Sequence, residues 1–206
     1  MRESRITFSC GDLKLEGLLM LPGGEAPGAA VVCHPHPMYG GSMYNNVVEA
    51  VLEAFWRRQF ATLRFNFRGV GDSEGEYDGG EGELDDVREA VAFLAGKAAV
   101  ESVMLAGYSF GASVSLRAGL TDPAVNRLVL VALPVALMTG PSDSTSKPVL
   151  LVSGDRDSYS PVEPLRRLAS TLGSRARLEI LAGADHFFGG YEGSLSALVG
   201  ASLAER

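Results

Sequence analysis

The chain has 206 residues, of which 46% are hydrophobic, and a formal net charge of −7. This length and composition suit one domain, residues 1–206, with a sizeable core. The acidic side chains are spread along the chain, which argues against nucleic acid or an anionic membrane as a partner. The N-terminal residues show no apolar segment typical of a signal peptide, and no apolar run approaches the ~20 residues that span a bilayer. We therefore expect a cytoplasmic protein.

The first half of the chain alternates predicted strands and helices. Residues 5–10 and 13–21 alternate apolar and polar side chains around Gly11-Asp12, which predicts a β-hairpin. The wholly apolar run 29–33 predicts a strand that is covered on both faces. The pattern then predicts a helix over 47–58 with Ser42, Asn45 or Asn46 as candidate caps, a strand over 62–67, a Gly/Asp/Glu-rich loop over 68–82, and an amphipathic helix over 83–96. Cys10 and Cys33 fit no metal or redox spacing, so both are predicted to be buried small side chains.

The second half repeats the alternation. An apolar run that begins at residue 103 passes through Gly-Tyr-Ser-Phe-Gly, residues 107–111, into helix formers over 112–120. The remaining predicted elements are strands over 127–132, 148–153 and 177–181, helices over 164–172 and 192–205, and a flexible Ser/Pro-rich loop over 141–146. Strands alternating with helices predict a three-layer α/β fold whose sheet is mostly parallel and begins with the antiparallel hairpin. In such a sheet the site lies at the carboxyl ends of the strands.

Two serines lie in a Gly-x-Ser-x-Gly pattern, and their surroundings distinguish them. Ser109 stands between a predicted strand and a predicted helix, on a tight turn that holds its hydroxyl above the sheet. Ser73 follows no apolar run and leads into Gly- and acid-rich sequence that cannot propagate a helix. Ser109 is therefore the candidate nucleophile, and Ser73 is interpreted as a loop residue.

A serine hydroxyl needs a nearby base that is itself oriented by a carboxylate. Of the three histidines, His186 lies in the loop after the last predicted strand, which fits the chain order serine, acid, histidine. The acid is expected after strand 148–153, where Asp155 and Asp157 both stand. Asp157 is favoured because it lies further along the loop, whereas Asp155 can organise the turn. Asp185, next to the histidine, is a weaker third candidate.

The oxyanion of an acyl-transfer intermediate needs at least two preorganised N–H donors. One is expected to be the backbone N–H of Phe110, at the start of the helix. The other is expected in the loop over 34–41, where prolines have no N–H and leave His36 or Met38, with His36 preferred. His34 and His36 also match a His-x-His metal spacing, but a zinc site needs three or four ligands, so no metal is predicted.

Apolar and aromatic side chains are expected to line the substrate site, and each of them can equally be a plain packing residue. The candidates are Met38, Tyr39, Tyr108 and Phe187, with Tyr159 and Phe188 as further aromatic residues near the predicted strand ends. Only 15 residues separate position 132 from position 148, too few for a cap domain. We therefore expect an open, shallow site that prefers short acyl chains.

Several stretches resemble the α/β-hydrolase superfamily, and in particular the small lidless bacterial α/β hydrolases related to dienelactone hydrolases and carboxylesterases. The matching stretches are HPHPMYGGSMYNN at 34–46, LRFNFRGVG at 63–71, GYSFG at 107–111, the Gly-x-x-Asp of 154–157 and DHFF at 185–188. The resemblance implies a serine hydrolase whose triad is Ser109, Asp157 and His186. Dienelactone hydrolases carry a cysteine where this chain has Ser109.

The residues and the resemblance together predict a carboxylesterase-like enzyme that cleaves small or short-acyl esters without a cofactor. A thioesterase or a peptidase would use the same triad, and a non-catalytic ligand-binding protein could keep the same fold. The acidic loop over 71–82 is compatible with a lid, a homodimer contact or a solvated turn.

Overall fold

The computed structural model describes residues 3–135 and 145–204. Its eight strands are β1 (Ser4–Cys10), β2 (Leu13–Met20), β3 (Ala29–Cys33), β4 (Ala61–Phe65), β5 (Val103–Tyr108), β6 (Val125–Val131), β7 (Val149–Gly154) and β8 (Ala176–Leu181). The α-helices within these ranges are α1 (Asn46–Trp56), α2 (Gly82–Ala98), α3 (Phe110–Thr121), α4 (Val162–Leu172) and α5 (Glu192–Ser202). None of the helices in the described part of the chain is long and apolar enough to cross a membrane.

The strands form one sheet in the order β1-β2-β4-β3-β5-β6-β7-β8. The pairs β1/β2 and β2/β4 are antiparallel, and every other neighbouring pair is parallel. After β3 the chain crosses to β4 on one side and then returns to β5 on the other. The loops after β3 and β5 therefore diverge at a topological switch point, where α/β sheets place their ligand sites.

The core lies in two layers, one on each face of the sheet. Successive side chains of a strand point to opposite faces, so Val31 of β3 lies in the layer that contains side chains of α2, α3 and α4, whereas Val32 lies in the layer that contains those of α1 and α5. Both faces of β3 are buried, which explains why its sequence is continuously apolar rather than alternating. The described helices cover both faces of the sheet, and the loops that carry the candidate site residues follow the carboxyl ends of the parallel strands.

The predicted elements and the mostly parallel, uncapped fold are confirmed, with small differences at the element ends. β4 ends at Phe65 rather than at residue 67, because the N–H of Phe67 donates to the ring of His34. α3 begins at Phe110, before the run of helix formers, and α1 is capped by Asn45, whose side chain accepts from the N–H of Val47 at 2.9 Å. Most of the predicted loop over 141–146 lies outside the described residues.

Both cysteines are buried and free, as predicted. Burial raises the pKa of the Cys10 thiol to about 11 and that of Cys33 to about 12. The two thiols are therefore neutral near pH 7 and behave as small apolar side chains.

Candidate active site

Ser109 stands alone between the end of β5 and the first residue of α3. Its backbone has φ 54° and ψ −116°, a conformation that non-glycine residues rarely adopt. The turn is tight enough that a Cβ on Gly107 would lie 2.3 Å from the carbonyl oxygen of Gly111, and one on Gly111 would lie 2.4 Å from that of His34. The flanking glycines are therefore required so that the strand can turn directly into the helix.

Three side chains from three different loops form a hydrogen-bonded row. The Oγ atom of Ser109 lies 3.0 Å from Nε2 of His186. On the other side of the ring, Nδ1 lies 3.0 and 2.8 Å from the two carboxylate oxygens of Asp157. Because a carboxylate only accepts, the proton of the neutral imidazole is on Nδ1, and the lone pair of Nε2 faces the serine hydroxyl.

The carboxylate in this row is held from behind by its own loop. The side chain of Asp157 has no exposed surface, and its Oδ1 also accepts from the backbone N–H groups of Tyr159 and Ser160 at 2.9 and 2.8 Å. Asp155 is exposed and accepts from the N–H of Gly183, so it organises the turn as the alternative interpretation expected. Asp185 accepts from the N–H of Phe187 within its own loop. Of the three candidate acids, the structure brings Asp157 to the histidine.

The histidine loop is fixed by groups that the sequence did not single out for this purpose. The hydroxyl of Tyr108 donates to the carbonyl oxygen of His186 at 2.8 Å. The side chain of Asn46, considered only as a helix cap in the sequence, donates to the carbonyl oxygen of Phe187 and to the carboxylate of Glu192. The signal for this second role was the end of the 34–46 motif, which extends to this asparagine.

The two histidines after β3 have different surroundings. His34 is fully buried, and its Nε2 accepts from the N–H of Phe67 while Nδ1 donates to the carbonyl oxygen of Pro35 at 2.6 Å. Both ring nitrogens are thus engaged within the protein, and burial lowers the pKa of His34 to about 4. In the described ranges, no group of three or more His, Cys, Asp or Glu side chains is arranged to hold a metal ion.

His36 begins a single 3₁₀ turn, Pro37–Tyr39, whose hydrogen bonds engage most of the loop N–H groups. The N–H of Met38 donates to Nδ1 of His36 at 3.2 Å. The N–H groups of Tyr39 and Gly41 both donate to the carbonyl oxygen of His36, and that of Gly40 donates to Pro37. The backbone N–H of His36 takes no part in these bonds of the turn.

The N–H of Phe110 lies at the start of a helix. The first backbone bond of α3 runs from the N–H of Ser113 to the carbonyl oxygen of Ser109. The preceding N–H groups of this turn therefore have no acceptor within the helix. Phe110 is the first of them, immediately after the serine, where the positive end of the helix dipole lies.

The predicted substrate residues divide into exposed and buried groups. Met38, Tyr39 and Phe187 are 68%, 87% and 62% exposed, and the rings of Tyr159 and Phe187 lie 4.8 and 5.7 Å from that of His186. Tyr108, in contrast, is only 3% exposed and packs in the core. Its side chain faces inward at the end of β5 and supports the histidine loop instead of lining the open site.

The second Gly-x-Ser-x-Gly serine has a structural environment. Ser73 is buried, its Oγ accepts from the N–H of Glu16 at 3.0 Å, and its hydroxyl donates to the carbonyl oxygen of Asn66 at 2.7 Å. These bonds tie the acidic loop to β2 and to the end of β4. The interpretation of Ser73 as a loop residue therefore agrees with its contacts.

Comparisons with known proteins show the family and the fold to which this chain is similar. Residues 26–141 match the hydrolase family described as serine aminopeptidase, S33. An uncharacterized protein of Rickettsia prowazekii is 30% identical over 194 residues, which cover 89% of this chain and 82% of the relative. An alpha-beta serine hydrolase homologue from Coxiella burnetii is 33% identical with a TM-score of 0.91, covering 98% of both chains. A serine hydrolase without a lid from Xanthomonas campestris is 29% identical with a TM-score of 0.88, covering 99% of this chain and 94% of the other.

Proposed function

Since the chain belongs to the serine aminopeptidase S33 family of the α/β hydrolases, we propose that it hydrolyses small carboxylic esters with Ser109, His186 and Asp157 as its catalytic triad. The observation that carries the proposal is the hydrogen-bonded row from the serine Oγ through the imidazole to the buried carboxylate. Each member of the row has the orientation that acyl transfer requires.

The reaction proceeds in two stages, acylation and deacylation of Ser109. Oγ of Ser109 attacks the ester carbonyl carbon while its proton passes to Nε2 of His186, and the carboxylate of Asp157 stabilises the imidazolium that forms. When the tetrahedral intermediate collapses, the imidazolium gives this proton to the departing alcohol and an acyl-enzyme remains. A water molecule, deprotonated by the same Nε2, then attacks the acyl carbonyl carbon. The bond to Oγ breaks, and the imidazolium returns its proton to Oγ of Ser109 as the acid leaves.

Two backbone N–H groups are placed to stabilise the oxyanion in this proposal. Phe110 supplies the first, because its N–H has no acceptor within helix α3 and lies beside the nucleophile. His36 supplies the second, because the turn after β3 uses the N–H groups of Met38 and its successors internally. This hydrogen bonding favours His36 over Met38, the other residue considered from the sequence.

The exposed side chains around the triad support a preference for short acyl chains. Met38, Tyr39 and Phe187 offer the substrate an apolar contact surface, but each of these side chains is mostly exposed to solvent. A long acyl chain would therefore gain little additional burial at this site.

The test is hydrolysis of a series of p-nitrophenyl esters from acetate to palmitate by wild type, Ser109→Ala and Ser73→Ala. We expect Ser109→Ala to lose at least about 10³-fold in kcat/KM and Ser73→Ala, a serine in the same pattern but outside the triad, to lose no more than about tenfold. Among the esters, kcat/KM should be highest for the short acyl chains. Activity that rises steadily through laurate and palmitate would contradict the shallow site.

The same preparation distinguishes the alternative functions. An acetyl thioester and an aminoacyl p-nitroanilide, assayed in parallel, separate a thioesterase or a peptidase from an esterase by the ratio of kcat/KM values. No turnover of any substrate by wild type, or equal turnover by Ser109→Ala, would contradict the proposal and favour a binding protein on this fold.

A further inference from the structure

The imidazole of His36 lies at the junction of three segments of the site. Its ring centroid is 4.7 Å from that of Tyr39 in its own loop, 5.0 Å from Tyr77 in the acidic loop and 4.9 Å from Phe110 at the start of α3. Tyr77 and Phe110 also contact each other, with centroids 5.8 Å apart. The residues that supply both proposed oxyanion donors are thus packed together with one side chain of the acidic loop.

The hydrogen bonds of this imidazole define its tautomer. The N–H of Met38 can only donate, so Nδ1 of His36 accepts and carries no proton. The proton of the neutral ring is therefore on Nε2, which lies 3.3 Å from the hydroxyl oxygen of Tyr77. The ring is held on one side by the turn that it caps and on the other side by the acidic loop.

The acidic loop is itself anchored on both sides of Tyr77. Before it, Ser73 is bonded to β2 and to the segment after β4. After it, the buried carboxylate of Glu83 accepts from the N–H groups of Asp78 and Gly80 at 3.0 and 2.7 Å. Tyr77 therefore contacts His36 from a segment whose position is fixed by bonds to the sheet and to α2.

We propose that Tyr77 is a positioning residue that holds the His36 ring against the 37–39 turn and so orients the backbone N–H of His36 for the reaction. This inference rests on the proposed function, and it gives the 71–82 loop a role as a brace for the oxyanion loop. The hydroxyl of Tyr77 holds the imidazole of His36, and Nδ1 of this imidazole accepts from the N–H of Met38. The resulting 37–39 turn then fixes the loop that carries the backbone N–H of His36.

Four variants separate the contact of Tyr77 with His36 from the contact of His36 with Met38. Tyr77→Phe removes the hydroxyl and keeps the ring. His36→Asn keeps an acceptor near the Nδ1 position for Met38 but loses Nε2, whereas His36→Ala loses both contacts. Tyr44→Phe is the matched control, since its hydroxyl bonds to Arg5 and not to His36, although Tyr44 belongs to the same loop after β3.

We expect Tyr77→Phe and His36→Asn each to lower kcat by about 2- to 10-fold, with KM within about twofold of wild type. Their double variant should be no slower than either single variant, because both remove one shared contact. His36→Ala should lose about 10- to 100-fold. The affinity for a phenylboronic acid, which forms a tetrahedral adduct on the serine, should fall by the same factors as kcat, and Tyr44→Phe should leave both unchanged.

Amide hydrogen exchange of Met38, followed by NMR, tests the geometry without turnover, and it should accelerate in Tyr77→Phe but not in Tyr44→Phe. Unchanged kcat, boronate affinity and Met38 exchange in Tyr77→Phe would overturn the proposed role of Tyr77. It would also be overturned if the double variant lost kcat by the product of the two single-variant factors. If Tyr77→Phe behaves like wild type while Ser109→Ala is inactive in the same assays, the proposed role of Tyr77 is wrong and the proposed function stands. If wild type turns over no ester, both the brace and the proposed function are overturned.

Discussion

Replacing Asp157 by asparagine tests the role of the buried carboxylate without changing its shape. The side-chain oxygen of the asparagine can still accept from the N–H groups of Tyr159 and Ser160, so the loop keeps its hydrogen bonds. The amide NH₂ then faces Nδ1 of His186, which must accept, and the imidazole proton moves to Nε2. In this tautomer Nε2 cannot take the proton of Ser109.

The loss of charge sets the smallest effect expected. The imidazolium that forms during attack and the carboxylate are in direct contact, with N and O atoms 2.8 Å apart and the carboxylate fully buried. Two unit charges about 4 Å apart attract by about 4 kcal/mol at an effective dielectric constant of about 20, which corresponds to about 10³-fold in rate. The wrong tautomer adds to this loss.

The assay is kcat/KM for p-nitrophenyl acetate at pH 7.5, with Asp155→Asn as the matched control. Asp155 is exposed, and its side chain accepts from the N–H of Gly183, an interaction that asparagine retains, so this variant should stay within about threefold of wild type. Circular dichroism and Tm verify that both variants are folded. A loss of less than tenfold in Asp157→Asn, or a larger loss in Asp155→Asn, would refute the assignment of the triad acid.

Three further predictions concern the stability of the segments around the site. His34 is protonated below pH 6.5 in the unfolded chain but only near pH 4 in the folded protein. As the pH decreases to 5, His34 therefore lowers the free energy of unfolding by about 2 kcal/mol. His34→Gln, followed by urea unfolding at pH 7 and pH 5, should remove this difference, and equal pH dependence in both proteins would contradict it. Gly111→Ala should destabilise the protein by more than about 2 kcal/mol in thermal unfolding, because its Cβ would lie 2.4 Å from a carbonyl oxygen. Gly96→Ala is the control: it has open space around it in α2 and should stabilise the protein by about 0.5–1 kcal/mol. Ser73→Ala should lower the free energy of unfolding by about 1–3 kcal/mol in urea because it leaves the buried N–H of Glu16 without its acceptor, and an unchanged value would contradict the anchoring of the acidic loop.

The sequence predicted the secondary elements well because their signals are local. The apolar run of β3 and the alternating hairpin are patterns of neighbouring residues, and the structure confirms both. Element ends were less accurate because they depend on distant partners. β4 ends where the N–H of Phe67 turns to the ring of His34, a residue that lies 33 positions earlier in the chain.

Within the site, the sequence identified candidates but not their environments. Asp155 and Asp157 are two positions apart in a loop, and only the turn geometry shows which carboxylate reaches the histidine. Tyr108 was one of the aromatic residues considered either for the substrate site or for plain packing, and its ring lies in the core. The contact of Tyr77 with His36 joins residues 41 positions apart, and no local pattern encodes it.

Covalent trapping of Ser109 tests whether this residue is the nucleophile. Wild type, Ser109→Ala and Ser73→Ala would each be treated with a fluorophosphonate probe, followed by intact-mass measurement and peptide mapping. We expect one adduct on the peptide that contains Ser109 in wild type and in Ser73→Ala, and none in Ser109→Ala. An unmodified wild-type protein, or an adduct that persists in Ser109→Ala, would contradict it.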